Sequence, residues 1–245
     1  MSATLPNLDD YRAVLFDLDG VLTPTADVHM HAWREMFTAL FAAKGVTEPY
    51  TDEDYFTYLD GKKRYDGVAG LLASRGIEVP WGSPEDPSTA DTVCGIGNRK
   101  NDVFSKIIDE DGVSPYPGSL ALLRQLSAEG KPMAVVSSSK NAEKVLVGAR
   151  IRDLFPVVVD GEVATRENLA GKPAGDMFVF AAEALGVEPA ESVVLEDAIS
   201  GVAAGHAGAF ALVIGVDRGV GEQALLDAGA DVVIEDLGVL VGDAG

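Results

Sequence analysis

Short β-branched runs and helix-patterned stretches alternate along most of the chain. RAVLFD (12–17), KPMAVVSS (131–138), FPVVVD (155–160), SVVLED (192–197), FALVIGV (210–216) and DVVI (231–234) are near-continuous apolar runs. Strands apolar on both faces belong in a parallel sheet covered by helices on each side. Helical patterns fill the gaps at 118–129, 140–148, 174–185, 198–207 and 220–228, several of them closed by glycine, as in SAEGK and EALGV. The alternation predicts a doubly wound α/β domain.

Residues 25–113 break the pattern. Thr25 can cap a helix in which Trp33, Phe37, Leu40 and Phe41 keep helical spacing up to Gly45, and YDGVAGLLASRG reads as a second helix. No core strand is evident over these ninety or so residues. The expectation is therefore a discontinuous α/β core, 1–24 and 114–245, interrupted by an α-helical cap at 25–113. Within the cap, VPWGSPEDPSTAD (79–91) reads as a surface loop. There is no internal repeat.

Composition narrows the function classes. A chain of 245 residues, 47% hydrophobic and 24% charged, can bury a full core. The formal charge of −20 argues strongly against nucleic acid or an anionic membrane surface, since both demand a basic face. Absence of a membrane-length apolar run and of a signal-peptide pattern leads to the expectation of a cytoplasmic protein. The lone Cys94 leaves no intramolecular disulfide and no thiolate zinc cage. Without a heptad seam, a monomer is expected.

Placing the polar residues on this frame shows where chemistry can occur. Ligands of an open α/β sheet bind outside the carboxyl ends of its strands. Asp17 and Asp19 end the first strand in VLFDLDGVLTPT, Ser137, Ser138 and Ser139 end the second, and Glu196 and Asp197 end SVVL. Ser139 and Asp197 each precede a helix and could simply cap it. Taken together with Lys172 in the GKPAGD loop, the set suits phosphoryl transfer through an aspartate. A carboxylate approaching phosphate meets repulsion of roughly 4 kcal/mol per charge pair at 4 Å in an effective dielectric of 20, so cations must compensate. Asp17 is the candidate nucleophile and Asp19 the proton carrier. Glu196 and Asp197 are hard oxygen ligands for Mg²⁺, and Ser137 and Lys172 suit the phosphate oxygens. Gly20 lets the chain turn without filling the site.

DLDGVLT, VVSSSKN, GKP and LED, in this order, resemble the four motifs of the haloacid dehalogenase superfamily of phosphotransferases. HMHAW, DGKKRYDGV, NRKND and YPG extend the resemblance to its β-phosphoglucomutase-like branch over nearly the whole chain. The resemblance implies a Rossmann-like core, a helical cap and Mg²⁺ as cofactor. It implies Asp17, Glu196, Asp197 and the main-chain carbonyl of Asp19 as metal ligands. Ser138 and Asn141 would lie near the phosphate held by Ser137 and Lys172. Arg64 and Lys100 would hold a second phosphate and read the sugar, and Thr25 and His29 would stand at a hinge that gates the reaction. Pro24 and the long 79–91 loop depart from the branch pattern.

Three functions follow in order. The first is interconversion of β-glucose 1-phosphate and glucose 6-phosphate through glucose 1,6-bisphosphate. The second is hydrolysis of a small sugar phosphate at the same site. The third is a non-enzymatic phospho-switch like a receiver domain, which is about half this length and lacks an insertion after its first strand.

Overall fold

The computed structural model describes residues 5–242, and its chain divides into two compact units, one running to Pro24 and resuming at Val113, the other Thr25–Gly112. Among its described residues the first unit holds six strands, β1 (Ala13–Phe16), β2 (Met133–Val136), β3 (Val157–Val159), β4 (Ser192–Glu196), β5 (Leu212–Val216) and β6 (Val232–Ile234). All pair in parallel, in the order β3-β2-β1-β4-β5-β6. Each lies within one of the six apolar runs. Val14 pairs with Met133 on one side and Val193 on the other, so β1 is central and every β1 residue is buried.

Ten α-helices lie among the described residues: α1 (Thr25–Lys44), α2 (Asp52–Asp54), α3 (Arg64–Ser74), α4 (Val93–Asp111), α5 (Pro117–Ala128), α6 (Ala142–Gly148), α7 (Gly161–Arg166), α8 (Asp176–Leu185), α9 (Ile199–Ala207) and α10 (Glu222–Asp227). Ala13 and Leu15 of β1, Ala134 and Val136 of β2 and Val194 of β4 share one sheet face. They pack with Met177, Phe178, Ala181 and Ala182 of α8. At about 25 cal/mol per Å² of apolar surface removed from water, burial of this layer stabilises the core. The Gly186 cap of α8 is left-handed at φ 73°, as EALGV implies.

The second unit is helical among its described residues. Trp33, Met36, Phe37, Leu40 and Phe41 form the buried stripe of α1, and pack with Leu71 and Leu72 of α3 and Ile96 of α4. Phe37 stacks on Tyr50 with centroids 5.7 Å apart. The sequence pattern leaves α4 unassigned, because Gly95 and Gly97 weaken its helical signature. Both glycines serve close packing: a Cβ on Gly97 would stand 2.9 Å from the Tyr65 ring, and one on Gly95 2.5 Å from the Ala90 carbonyl. Thr92 caps α4 by accepting from the Gly95 amide. The 79–91 segment is a loop held by side chains of α4, with Asn98 donating to the carbonyls of Pro84 and Asp86 and Arg99 to that of Ser88. Among the described residues no helix is long and apolar enough to cross a membrane.

Candidate active site

The carboxyl ends of β1, β2 and β4 bring the predicted polar residues together within the first unit. Asp17 continues β1, its amide donating to the Leu195 carbonyl, and it is 6% exposed. Lys172 Nζ donates to Asp17 Oδ1 at 2.5 Å, to Glu196 Oε1 at 2.5 Å and to the Val136 carbonyl at 3.2 Å. It also lies 5.0 Å from the centroid of Phe178. One ammonium thus ties the ends of β1, β2 and β4.

Burial sets the electrostatics. It raises the Asp17 carboxyl well above the usual aspartate range; Lys172 opposes this, while Glu196 and Asp19 add to it. Burial works against the charged form of Lys172, but the charges and hydrogen bonds of Asp17 and Glu196 outweigh it and hold the ammonium above its ordinary value. Lys172 therefore stays protonated, with an excess of carboxylate around it.

Asp19 sits on a tight turn. The Gly20 amide donates to the Thr23 carbonyl at 2.7 Å, and the amides of Leu22 and Thr23 both donate to the Leu18 carbonyl. Gly20 has φ +88°, and a Cβ there would lie 1.8 Å from Asp197 Oδ2, so glycine is required both by the backbone and by the carboxylate resting on it. Ser137 Oγ donates to Asp19 Oδ2 at 3.3 Å and accepts from the Ser139 amide at 3.1 Å. Ser138 lies on the same loop, whose Ser139 Oγ accepts from the Asn141 amide. A Cβ on Gly161 would come within 2.9 Å of the Ser138 carbonyl, so the first turn of α7, an element the sequence pattern did not mark, packs closely on this loop.

Neither Ser139 nor Asp197 occupies the N-cap position of the helix that follows it. Ala198 is the N-cap of α9, without a side-chain bond, and Asn141 is that of α6. Asp197 is 8% exposed at the strand end. Glu196, one of the expected metal ligands, accepts from Lys172 at Oε1 and from the Ala198 amide at Oε2, the latter at 2.7 Å. Gly201 makes room for it, since a Cβ there would fall 1.7 Å from Oε1.

The donor set fits a small hard cation. Four carboxylates belong to these strand ends and Lys172 contacts two, leaving an excess of negative oxygen, with Asp197 lying over the Gly20 turn. Among the described residues no three His, Cys, Asp or Glu side chains form a ready-made cage. Magnesium does not need one, because it usually takes one or two carboxylates and completes its sphere with water and substrate phosphate.

The remaining candidates lie in the second unit. Arg64 begins α3 and its Nη2 donates to Asn101 Oδ1 at 2.7 Å. Lys100 is 2% exposed; its Nζ contacts His29 Nδ1 and lies 4.9 Å and 4.7 Å from the ring centroids of Trp33 and Phe104. His29 stacks on Phe104 at 4.1 Å. Thr25 is buried at the start of α1. Lys100 is therefore part of an aromatic cluster with His29 rather than a lysine displayed at the surface.

The family model for haloacid dehalogenase-like hydrolases matches residues 11–208. The chain belongs to that family. A β-phosphoglucomutase of Mycobacterium bovis is 50% identical over 239 residues, covering 94% of this chain and 91% of the relative. One of Bacillus subtilis is 35% identical, covering 91% and 88%. Among solved structures, a β-phosphoglucomutase from Clostridium difficile has a TM-score of 0.76 at 26% identity, with 94% and 93% covered. CbbY from Rhodobacter sphaeroides, in complex with phosphate, has a TM-score of 0.72 at 25% identity, with 96% and 98% covered. These relatives place the chain in the β-phosphoglucomutase-like branch of the haloacid dehalogenase-like family. It is an enzyme of the phosphotransferase or phosphatase type.

Proposed function

We propose that this enzyme is a magnesium-dependent β-phosphoglucomutase, converting β-glucose 1-phosphate to glucose 6-phosphate through glucose 1,6-bisphosphate and an aspartyl-phosphate at Asp17. The observation that carries the reading is the buried Asp17–Lys172–Glu196 cluster beside the Asp19 turn. The 50% identity with a β-phosphoglucomutase over nearly the whole chain supports the choice of substrate. A monomer working in the cytoplasm completes the proposal.

The chemistry follows from the residues. A carboxylate oxygen of Asp17 attacks phosphorus, and the ammonium of Lys172 and the hydroxyl of Ser137 receive the phosphate oxygens. When bound, Mg²⁺ would supply further positive charge against carboxylate–phosphate repulsion, with Asp17, Glu196, Asp197 and the Asp19 carbonyl as its proposed protein ligands. Asp19 gives a proton to the departing sugar oxygen and takes one from the attacking hydroxyl in the return transfer. Ser138 and Asn141 border the phosphate. Arg64 is proposed to hold the second phosphate, with Lys100 contributing through its cluster with His29, and Thr25 and His29 are proposed to gate the reaction.

Phosphorus NMR tests the reading. With Mg²⁺ and a trace of glucose 1,6-bisphosphate, β-glucose 1-phosphate is expected to become mainly glucose 6-phosphate. Mostly inorganic phosphate, across several sugar phosphates, would replace the mutase with a sugar-phosphate hydrolase acting through the same nucleophile.

A further inference from the structure

Arg218 lies outside all four motifs, yet it grips the turn that carries Asp19. Its Nε donates to the Gly20 carbonyl at 2.8 Å and its Nη1 to the Glu235 carbonyl at 2.8 Å. The guanidinium carbon stands 4.0 Å from the centroid of the Tyr116 ring, and the Tyr116 amide donates to the Leu22 carbonyl at 3.0 Å. The loop that projects Arg218 from the end of β5 is itself fixed. Asp217 Oδ1 accepts from the amides of Gly219 and Gly221 at 2.8 and 3.0 Å, and the Asp217 amide donates to the Ile234 carbonyl at 2.8 Å.

These contacts act on Asp19 through the backbone. The Gly20 amide is bound inside the turn by Thr23, and the Gly20 carbonyl is bound from outside by Arg218. The peptides on both sides of Gly20 are thereby held, and with them the backbone angle that aims Asp19. Glycine at φ +88° has no side chain to restrict it, so an external clamp has real freedom to remove. A planar guanidinium suits the task because it can reach two carbonyls at fixed angles while stacking on a ring.

We propose that Arg218 is a positioning residue for Asp19, so that it governs proton transfer to and from the sugar oxygen rather than attack by Asp17. The proposal rests on the aspartyl-phosphate reading above.

The two half-reactions separate these roles. With acetyl phosphate and Mg²⁺, an Asp17 oxygen bonds to phosphorus, the bond from phosphorus to the acetate oxygen breaks, and acetate leaves with the electron pair and needs no proton. In transfer to a sugar, the hydroxyl oxygen bonds to phosphorus, the Asp17–phosphorus bond breaks, and the hydroxyl proton passes to Asp19. At Mg²⁺ concentrations that saturate each protein, Arg218→Ala is expected to phosphorylate from acetyl phosphate within twofold of wild type and to transfer to the sugar at least tenfold more slowly, with KM for β-glucose 1-phosphate within twofold. Arg218→Lys keeps the charge but cannot span both carbonyls, and is expected to be similarly slow. Arg218→Gln carries the same test should the alanine variant not fold.

Equal slowing of both half-reactions would reduce Arg218 to general support of the fold and overturn the proposal. So would recovery in Arg218→Lys, which would make charge rather than position the cause, and so would unchanged transfer. A wild-type protein that is phosphorylated by acetyl phosphate but passes phosphate only to water would sink the mutase reading instead; the comparison is then made on phosphate release, where water gives its proton to Asp19.

Discussion

Lys172 Nζ stands at the same distance, 2.5 Å, from Asp17 Oδ1 and from Glu196 Oε1. All three side chains are buried, so the ammonium is the charge partner of both carboxylates with little screening by solvent. Removing one partner of a buried ion pair leaves an uncompensated charge and costs about 3–5 kcal/mol. Lys172→Ala is expected to lower the unfolding free energy by about that amount, and Glu196→Gln by less, because Asp17 then keeps its lysine. Denaturant titration measures both; a Lys172→Ala midpoint equal to wild type would show that the cluster does not bear on stability.

Asp17→Asn separates folding from chemistry. The substitution is nearly isosteric and removes a charge whose burial is unfavourable, so the fold is expected to persist. Turnover is expected to fall to background for mutase and hydrolase alike, since an amide cannot form the phosphoryl bond. Retention of a tenth of wild-type activity would rule Asp17 out as the nucleophile.

Metal dependence is expected to run through Asp197 and the glycine beneath it. Chelator is expected to abolish activity and Mg²⁺ to restore it. Gly20→Ala would place a Cβ 1.8 Å from Asp197 Oδ2 on a backbone at φ +88°, displacing the carboxylate and straining the turn. The Mg²⁺ concentration for half-maximal rate is expected to rise at least tenfold. Activity unchanged in chelator would mean that the excess carboxylates serve a purpose other than holding a cation.

The strands were legible because a parallel sheet buried on both faces leaves continuous apolar runs, and each of β1 to β6 falls inside one of them. The chemistry at the strand ends was legible for a related reason: parallel strands all point their carboxyl ends the same way, so Asp17, Ser137 and Glu196 had to converge. Elements built on glycine were not. The glycines of α4 and the Gly161 start of α7 exist to let other groups approach, and that is a tertiary requirement without a local period. The partners of Glu196 were equally hidden, because an acid beside a strand end looks the same whether it meets a cation or a lysine. Arg218 had a faint signal in DRGVG, where Asp217 precedes two glycines that its carboxylate caps, a pattern for a rigid turn that presents the arginine. Nothing local named Gly20 as its target.

A mutase must protect its aspartyl-phosphate until a sugar hydroxyl arrives, whereas a phosphatase need not. In the second unit His29 stacks on Phe104, and its Nδ1 contacts the ammonium of Lys100, which lies 4.9 Å from the centroid of the Trp33 ring. One imidazole therefore fixes the orientation of α1 against α4 through both a ring contact and a polar one. If this cluster is the gate proposed above, His29→Ala is expected to keep phosphorylation by acetyl phosphate and to shift the product of β-glucose 1-phosphate from glucose 6-phosphate toward inorganic phosphate. His29→Asn retains an acceptor for Lys100 and is expected to fall between the two. The ratio of the two products, read by phosphorus NMR alongside a melting curve, is the measurement. A proportional loss of both products would mean that His29 supports the unit's packing and that water is kept out elsewhere.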